Sequence, residues 1–156
     1  MTHLTPIDCA CMVCNGQFIP ILESRGAELH STEVLNVPSS LFYSLLGLSP
    51  SALQRVMASS TQTFQQVSKI QPLLPLLAMI HKYAGVETIA DFLIQEGVDV
   101  NQTNSEGNTA LHMCVIHNNL VLLAHLLQKG VKTELLNAQG KTAYQVSFEI
   151  FFQLAC

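Results

Sequence analysis

The chain has 156 residues, enough for one ordinary domain with a substantial core, and 49% of them are apolar while only 12% are charged, against roughly 25% in typical soluble domains. A net charge of −4 with seven lysines and arginines excludes the basic footprint that nucleic acid or an anionic membrane demands, and so few charges point to a surface partly covered by a partner. The longest apolar run, "LLPLLAMI" at Leu73 to Ile80, is eight residues with a proline inside it, well short of the roughly 18 that span a bilayer, so no membrane insertion is expected.

The first predicted unit is "TPIDCACMVCNGQFIPILESRGAELH", in which Thr5 opens a helix and Gly26 follows it as far along the chain as Gly130 follows Thr109. Pro38 is as distant from Thr5 as Thr142 is from Thr109, and it begins "PSSLFYSLLGLSPSALQRVM". That stretch reads as an apolar helix, a break at Gly47, and a second helix whose start is marked by Ser49 and Pro50, a good N-cap and first-turn pair. Ser59 stands where the terminal glycine is expected, so this unit is degenerate. The next equivalent of Pro38 is Leu76, a longer step than the one from Thr5 to Pro38. About five extra residues are therefore expected in or near "SSTQTFQQVSKIQPLLP".

From Leu76 onward the spacing is regular. Gly97 follows Gly85 at the separation at which Gly130 follows Asn118, and Gly97 recurs as Gly130 at an interval of 33. Gly107 and Thr109 of "GNTALHMCVIHNN" recur at the same interval as Gly140 and Thr142 of "GKTAYQVSFEIFF". Glycine permits positive φ in a tight turn and past a helix end, and Thr109 can cap the helix after it. Ala110, Leu111, Met113 and Cys114 offer small or apolar groups to neighbouring helices. Leu120, Leu122, Leu123, Leu126 and Leu127 form a stripe at helical spacing that is expected to be buried.

A 33-residue unit with a T-P-L-H-x-A signature is the period of the ankyrin repeat. "TALHMC", Thr109 to Cys114, is close to that signature, and the chain resembles the ankyrin-repeat family. The resemblance implies an all-α solenoid in which each unit supplies a short β-turn finger, an inner helix, a turn and an outer helix, with little true strand. The expected map is a single domain over 1–156, with repeats at about 1–32, 33–70 (degenerate, with the insertion), 71–103, 104–136 and 137–156 (truncated). His112 occupies the T-x-L-H position, where the resemblance implies a hydrogen bond that ties one finger to the next.

Candidate chemistry is sparse. Cys9, Cys11 and Cys14 contain one C-x-x-C pair, whereas a structural zinc site needs four ligands, normally from two such pairs. Cys9 and Cys11 fall instead at inner-helix packing positions, where free cysteine acts as a small hydrophobe. A thiolate-metal or redox protein is kept as the weaker alternative. His3, His30, His81, His112, His117 and His125 are scattered, without H-E-x-x-H, and there is no phosphate loop, G-x-S-x-G elbow or paired-carboxylate motif. No catalytic residue, metal or cofactor is expected. Five cysteines, an odd number, argue against a disulfide scaffold, and "MTHLTPIDCA" lacks a basic segment leading into an apolar core. An intracellular, cytoplasmic setting is expected, with the nucleus also compatible.

The resemblance implies non-catalytic recognition of another protein through a concave face of finger tips and inner helices. Carried onto this sequence, that face comprises Lys82 and Tyr83, then Ser105, Glu106, Asn108, Ile116 and His117, then Gln139, Lys141 and Glu149. "LIQEGVDVN" places Leu93 six residues before Asp99, Val100 and Asn101. It resembles the ankyrin pattern recognised by the asparaginyl hydroxylase that also acts on hypoxia-inducible factor, which makes Asn101 a candidate hydroxylation site. An adaptor, inhibitor or scaffold fits this reading, and so does a pathogen effector working in the host cytosol. Finally, "SFEIFFQLAC" crowds Phe148, Ile150, Phe151, Phe152 and Leu154 into the truncated unit. One preceding repeat cannot cover them all, so self-association, partner contact or a continuation of the chain is expected to cover the patch.

Overall fold

A threonine followed three residues later by a polar side chain opens three of the helices, and each pair bonds reciprocally. In the computed structural model, which describes residues 5–13, 19–27, 33–34, 37–47, 50–59, 72–80 and 85–155, the Thr5 amide donates to Asp8 Oδ2 at 2.9 Å and the Asp8 amide to Thr5 Oγ1 at 3.2 Å. The Thr142 amide donates to Gln145 Oε1 at 2.9 Å and the Gln145 amide to Thr142 Oγ1 at 3.3 Å. Thr109 and His112 form the same box, with the Thr109 amide donating to His112 Nδ1 at 3.2 Å. Such a box satisfies two of the amides that a helix's first turn leaves without partners.

The chain divides into two units, residues 1–71 and 72–156. In the first, α1 (Pro6–Val13) pairs with α2 (Ile19–Ser24), and α3 (Ser39–Leu46) with α4 (Pro50–Ser59). The inner helices α1 and α3 stack on one another. Ahead of α3 lies a minimal antiparallel hairpin of β1 (Glu33–Val34) and β2 (Val37–Pro38), with Glu33 opposite Pro38 and Val34 opposite Val37. The core consists of Ile7, Cys11, Ile19, Leu41, Leu45, Leu53 and Val56. Gly47 ends α3 against the backbone carbonyl of Met12, where any Cβ would collide with main chain.

The second unit holds α5 (Leu73–Ile80), α6 (Val86–Gln95), α7 (Ala110–Ile116), α8 (Leu120–Gln128) and α9 (Ala143–Ala155). Inner helices α5, α7 and α9 stack in that order, and outer helices α6 and α8 pack on their own inner helices and on each other. This is the all-α repeat architecture. Helix α5 begins three residues before Leu76, because the Leu76 amide already donates to Pro72 O at 3.0 Å. Pro75 sits in the first turn, where a missing N–H costs nothing, and Leu73, Leu74 and Leu77 are all fully buried. The expected insertion falls on residues 60–71, outside the described residues.

The break between paired helices is made by positive φ, 101° at Gly85 and 55° at Asn118, asparagine being among the few non-glycine types that adopt this conformation readily. Asn119 then caps α8. Its Oδ1 accepts the Leu122 amide at 3.1 Å, and its Nδ2 reaches back to Ala78 O of α5 at 3.2 Å. On the outer surface, Asp91 Oδ1 lies 2.7 Å from Lys129 Nζ and 2.8 Å from His125 Nε2. The Lys129 ammonium, then the imidazole, hold the Asp91 carboxyl below its usual range, although at one-third exposure the cluster adds little stability.

Position 151, one period after Asn118, carries phenylalanine, so nothing breaks α9 and it runs 13 residues where α7 runs seven. This changes the expected stripe on α8. Leu122 and Leu126 are fully buried and Leu123 is half-buried, but Leu120 and Leu127 are 66% and 49% exposed. Among the described residues no further outer helix packs on that side of α8.

Candidate functional site

The finger tips are built by asparagine. Asn104 Oδ1 accepts the amides of Glu106 and Asn108 at 3.0 and 2.9 Å, and Asn137 Oδ1 accepts those of Gln139 and Lys141 at 3.0 and 3.1 Å. Each turn closes through a glycine amide, Gly107 to Asn104 O and Gly140 to Asn137 O, both at 2.9 Å. A side chain that mimics the backbone in this way fixes a tight turn. Asparagine with glycine three residues after it, recurring one period later, is the signal from which these turns could have been foreseen.

Neighbouring fingers are tied to each other. The Ala138 amide donates to Glu106 O at 2.9 Å, Asn137 Nδ2 to Asn108 Oδ1 at 3.0 Å, and the Lys132 amide to Asn101 Oδ1 at 3.0 Å. At Gly107, where φ is +72°, an added Cβ would stand 2.7 Å from Ala138 N, so glycine is required by both conformation and close approach. The expected role of His112 is met. With Nδ1 accepting from Thr109, the ring proton is on Nε2, which donates to Lys141 O at 2.9 Å.

On this scaffold Ser105, Glu106 and Gln139 stand exposed at the tips. Ile116 is 41% exposed on α7, and Glu149, one period later, holds the same position on α9. Lys141 Nζ donates to Glu149 Oε2 at 2.7 Å, joining the second finger to the inner helix behind it. These six make up a set at least partly open to solvent, proposed below as one strip. Asn108 leaves it: only 4% exposed, it donates through Nδ2 to Glu106 Oε2 at 3.0 Å while accepting from Asn137, so it stiffens the fingers and offers nothing to a partner. His117 also falls apart from the strip. It is half-buried at the end of α7, and its counterpart Ile150 lines a hollow facing α8 rather than the finger side. Lys82 and Tyr83 lie outside the described residues.

The cysteines divide by burial. Cys11 and Cys114 are fully buried, as packing positions should be, but Cys9 is exposed, since α1 turns it away from α3. Cys14 lies outside the described residues. Desolvation pushes the Cys11 thiol up to about 11 and the Cys114 thiol up to about 12, and only the thiolate is a nucleophile or metal ligand. Among the described residues no three His, Cys, Asp or Glu side chains converge on a metal position. Brief iodoacetamide treatment of the native chain is expected to modify Cys9 and spare Cys11 and Cys114, with all three reacting in denaturant. Peptide mass spectrometry reads the result, and rapid native alkylation of Cys114 would contradict the assigned burial.

Among the described residues no helix is long and apolar enough to cross a membrane. A family model described as ankyrin repeats, in three copies, matches residues 77–149. The chain is 30% identical over 74 residues to Regulatory protein NPR1 of Arabidopsis thaliana, covering 47% of this chain and 12% of that protein. It is 35% identical over 66 residues to the human SH3 and multiple ankyrin repeat domains protein 2 (42% and 4%), and 39% identical over 56 residues to Protein fem-1 homolog A-like of Mus musculus (36% and 9%). The chain thus spans only about a tenth, or less, of the length of these relatives. Ankyrin repeats are generally protein-interaction modules and typically non-catalytic. Through the paired helices, the asparagine-glycine fingers and the family match, residues 77–149 of this chain are ankyrin repeats.

Proposed function

We propose that this protein is a non-catalytic adaptor, inhibitor or scaffold whose partner is another protein, bound along Ser105, Glu106, Ile116, Gln139, Lys141 and Glu149. The observation that carries the reading is the chain of ties between fingers, which holds exposed, chemically varied side chains on a rigid support and so lowers the ordering cost of binding. We also take the first unit to be two further repeats of the same domain. Its Thr5–Asp8 cap has the spacing of Thr109–His112, and its inner helices stack alike.

Immobilised parent chain, incubated with an extract of its native cell, is expected to retain a protein that the double variant Ile116→Asp, Gln139→Ala loses by about 30-fold or more, the size of a binding hot spot. A control variant on the outer surface, Thr88→Ala, is expected to retain it. Equal retention by all three would place binding elsewhere. Asn101 is proposed as a hydroxylation site with one condition attached. Its Oδ1 holds the Lys132 amide, so a hydroxylase must open that finger before it reaches the Asn101 Cβ.

A further inference from the structure

Helix α9 is apolar around most of its circumference. Ala143 and Val146 are buried against the unit, while Tyr144, Phe148, Phe151, Phe152 and Leu154 are 47% to 83% exposed. Tyr144, Phe148 and Phe152 follow one another at i, i+4 and i+8, which puts them on one side of the helix. Their rings already touch in series, with centroids 5.1 and 6.1 Å apart. They form a preassembled aromatic ridge.

Beside the ridge runs a slot between α8 and α9, floored by α7. It consists of two adjoining hollows of about 290 and 420 Å³ that share Val115, Leu123 and Ser147. Leu120 and Leu127 stand on its α8 wall, Phe151 and Tyr144 on its α9 wall. The corresponding place one period earlier, against α6 and α7, is filled by α8 itself, which inserts Leu122 and Leu126, both fully buried. The slot is therefore shaped for a helix carrying bulky apolar groups at i and i+4, and the α9 ridge is such a helix.

We propose that two copies of this chain associate about a two-fold axis, each laying its α9 ridge into the slot of the other. A two-fold interface must be self-complementary, and here knob and hole sit side by side on one surface. The exposed parts of the five α9 residues with Leu120 and Leu127 come to about 800 Å², given about 150–250 Å² for a whole aromatic side chain, which is what each partner contributes to a stable interface of standard size. Neither hollow is lined by a charged residue, so two chains of net charge −4 can meet here without opposing like charges.

Sedimentation velocity of the whole chain over a range of concentrations tests this. The parent is expected to be dimeric at about 100 µM, above the micromolar dissociation constants at the weak end for interfaces of this size. Phe152→Glu breaks the ridge and Leu120→Glu breaks the slot. Both positions are exposed, so circular dichroism is expected to remain that of the parent while each variant alone dissociates about 30-fold or more readily. Mixed together, the two variants are expected to recover a heterodimer, since one intact ridge then meets one intact slot. A parent that stays monomeric at about 100 µM overturns the proposal, as does a mixture no more associated than its components. Retention of the partner on the finger strip is read separately and is expected to be unchanged in both variants.

Discussion

Leu122→Ala is expected to destabilise the second unit by about 3–5 kcal/mol, because a fully buried leucine leaves a cavity that two packed helix layers cannot close. Leu120→Ala, two residues away on the same helix and 66% exposed, is expected to stay within about 0.5 kcal/mol of the parent. Urea denaturation followed by far-UV circular dichroism, at a concentration low enough to keep the chain monomeric, measures both. The contrast matters more than either value, since hydropathy and helical propensity are identical at the two sites and only the neighbour differs. A cost at Leu120 equal to that at Leu122 would mean that α8 is covered on both sides.

His112→Ala is expected to cost about 3–4 kcal/mol. The imidazole is 1% exposed, and its loss leaves the Thr109 amide and Lys141 O without their partner, each unmet buried group costing about 1–3 kcal/mol. Glutamine at 112 offers a sharper comparison, because Gln145 already caps α9 from the equivalent position. His112→Gln is expected to keep the helix cap and lose the tie to the next finger, and so to cost less than alanine. Equal costs for the two substitutions would assign the whole effect to the cap or to packing.

What could be read from the chain, and what could not, separates by the range of the interaction. Gly107, Thr109 and their counterparts Gly140 and Thr142 act on backbone within a few residues, so their spacing alone disclosed the unit and its period. The hydrogen bond of His112 to the following finger was legible only through resemblance to a family. Asn108 was misplaced because one of the two side chains that engage it, Asn137, is 29 positions away. Leu120 and Leu127 were misplaced because a leucine's burial depends on what packs opposite, and opposite them the next unit supplies a straight α9. Cys9 differs from Cys11 only by its direction from α1, which a two-residue offset could not resolve without the helix phase. In the first unit, Asp8 takes the place of His112, and its Oδ1 is buried without a partner among the described residues. A carboxylate cannot donate as Nε2 does, so Asp8 cannot supply the bond that His112 gives to the following finger.

The ties between fingers have a bearing on how this surface changes over generations. Apart from the Asn137–Asn108 side-chain pair, they end in the following unit on main-chain atoms: the Ala138 and Lys132 amides and the Lys141 carbonyl. Glu106 gives its carbonyl to the next finger, while its carboxylate accepts from Asn108 within its own finger. Side-chain identity at 138, 139 and 141 is therefore nearly invisible to the fold, whereas Glu106 also holds buried Asn108, and proline is barred at 106, 138, 139 and 141, whose amides are in use. Substitution at these tips leaves intact the bonds that Asn104, Asn108, His112 and Asn137 make for the scaffold. A laboratory library confined to the tips would inherit the same freedom, with recognition and folding free to evolve on separate sets of residues.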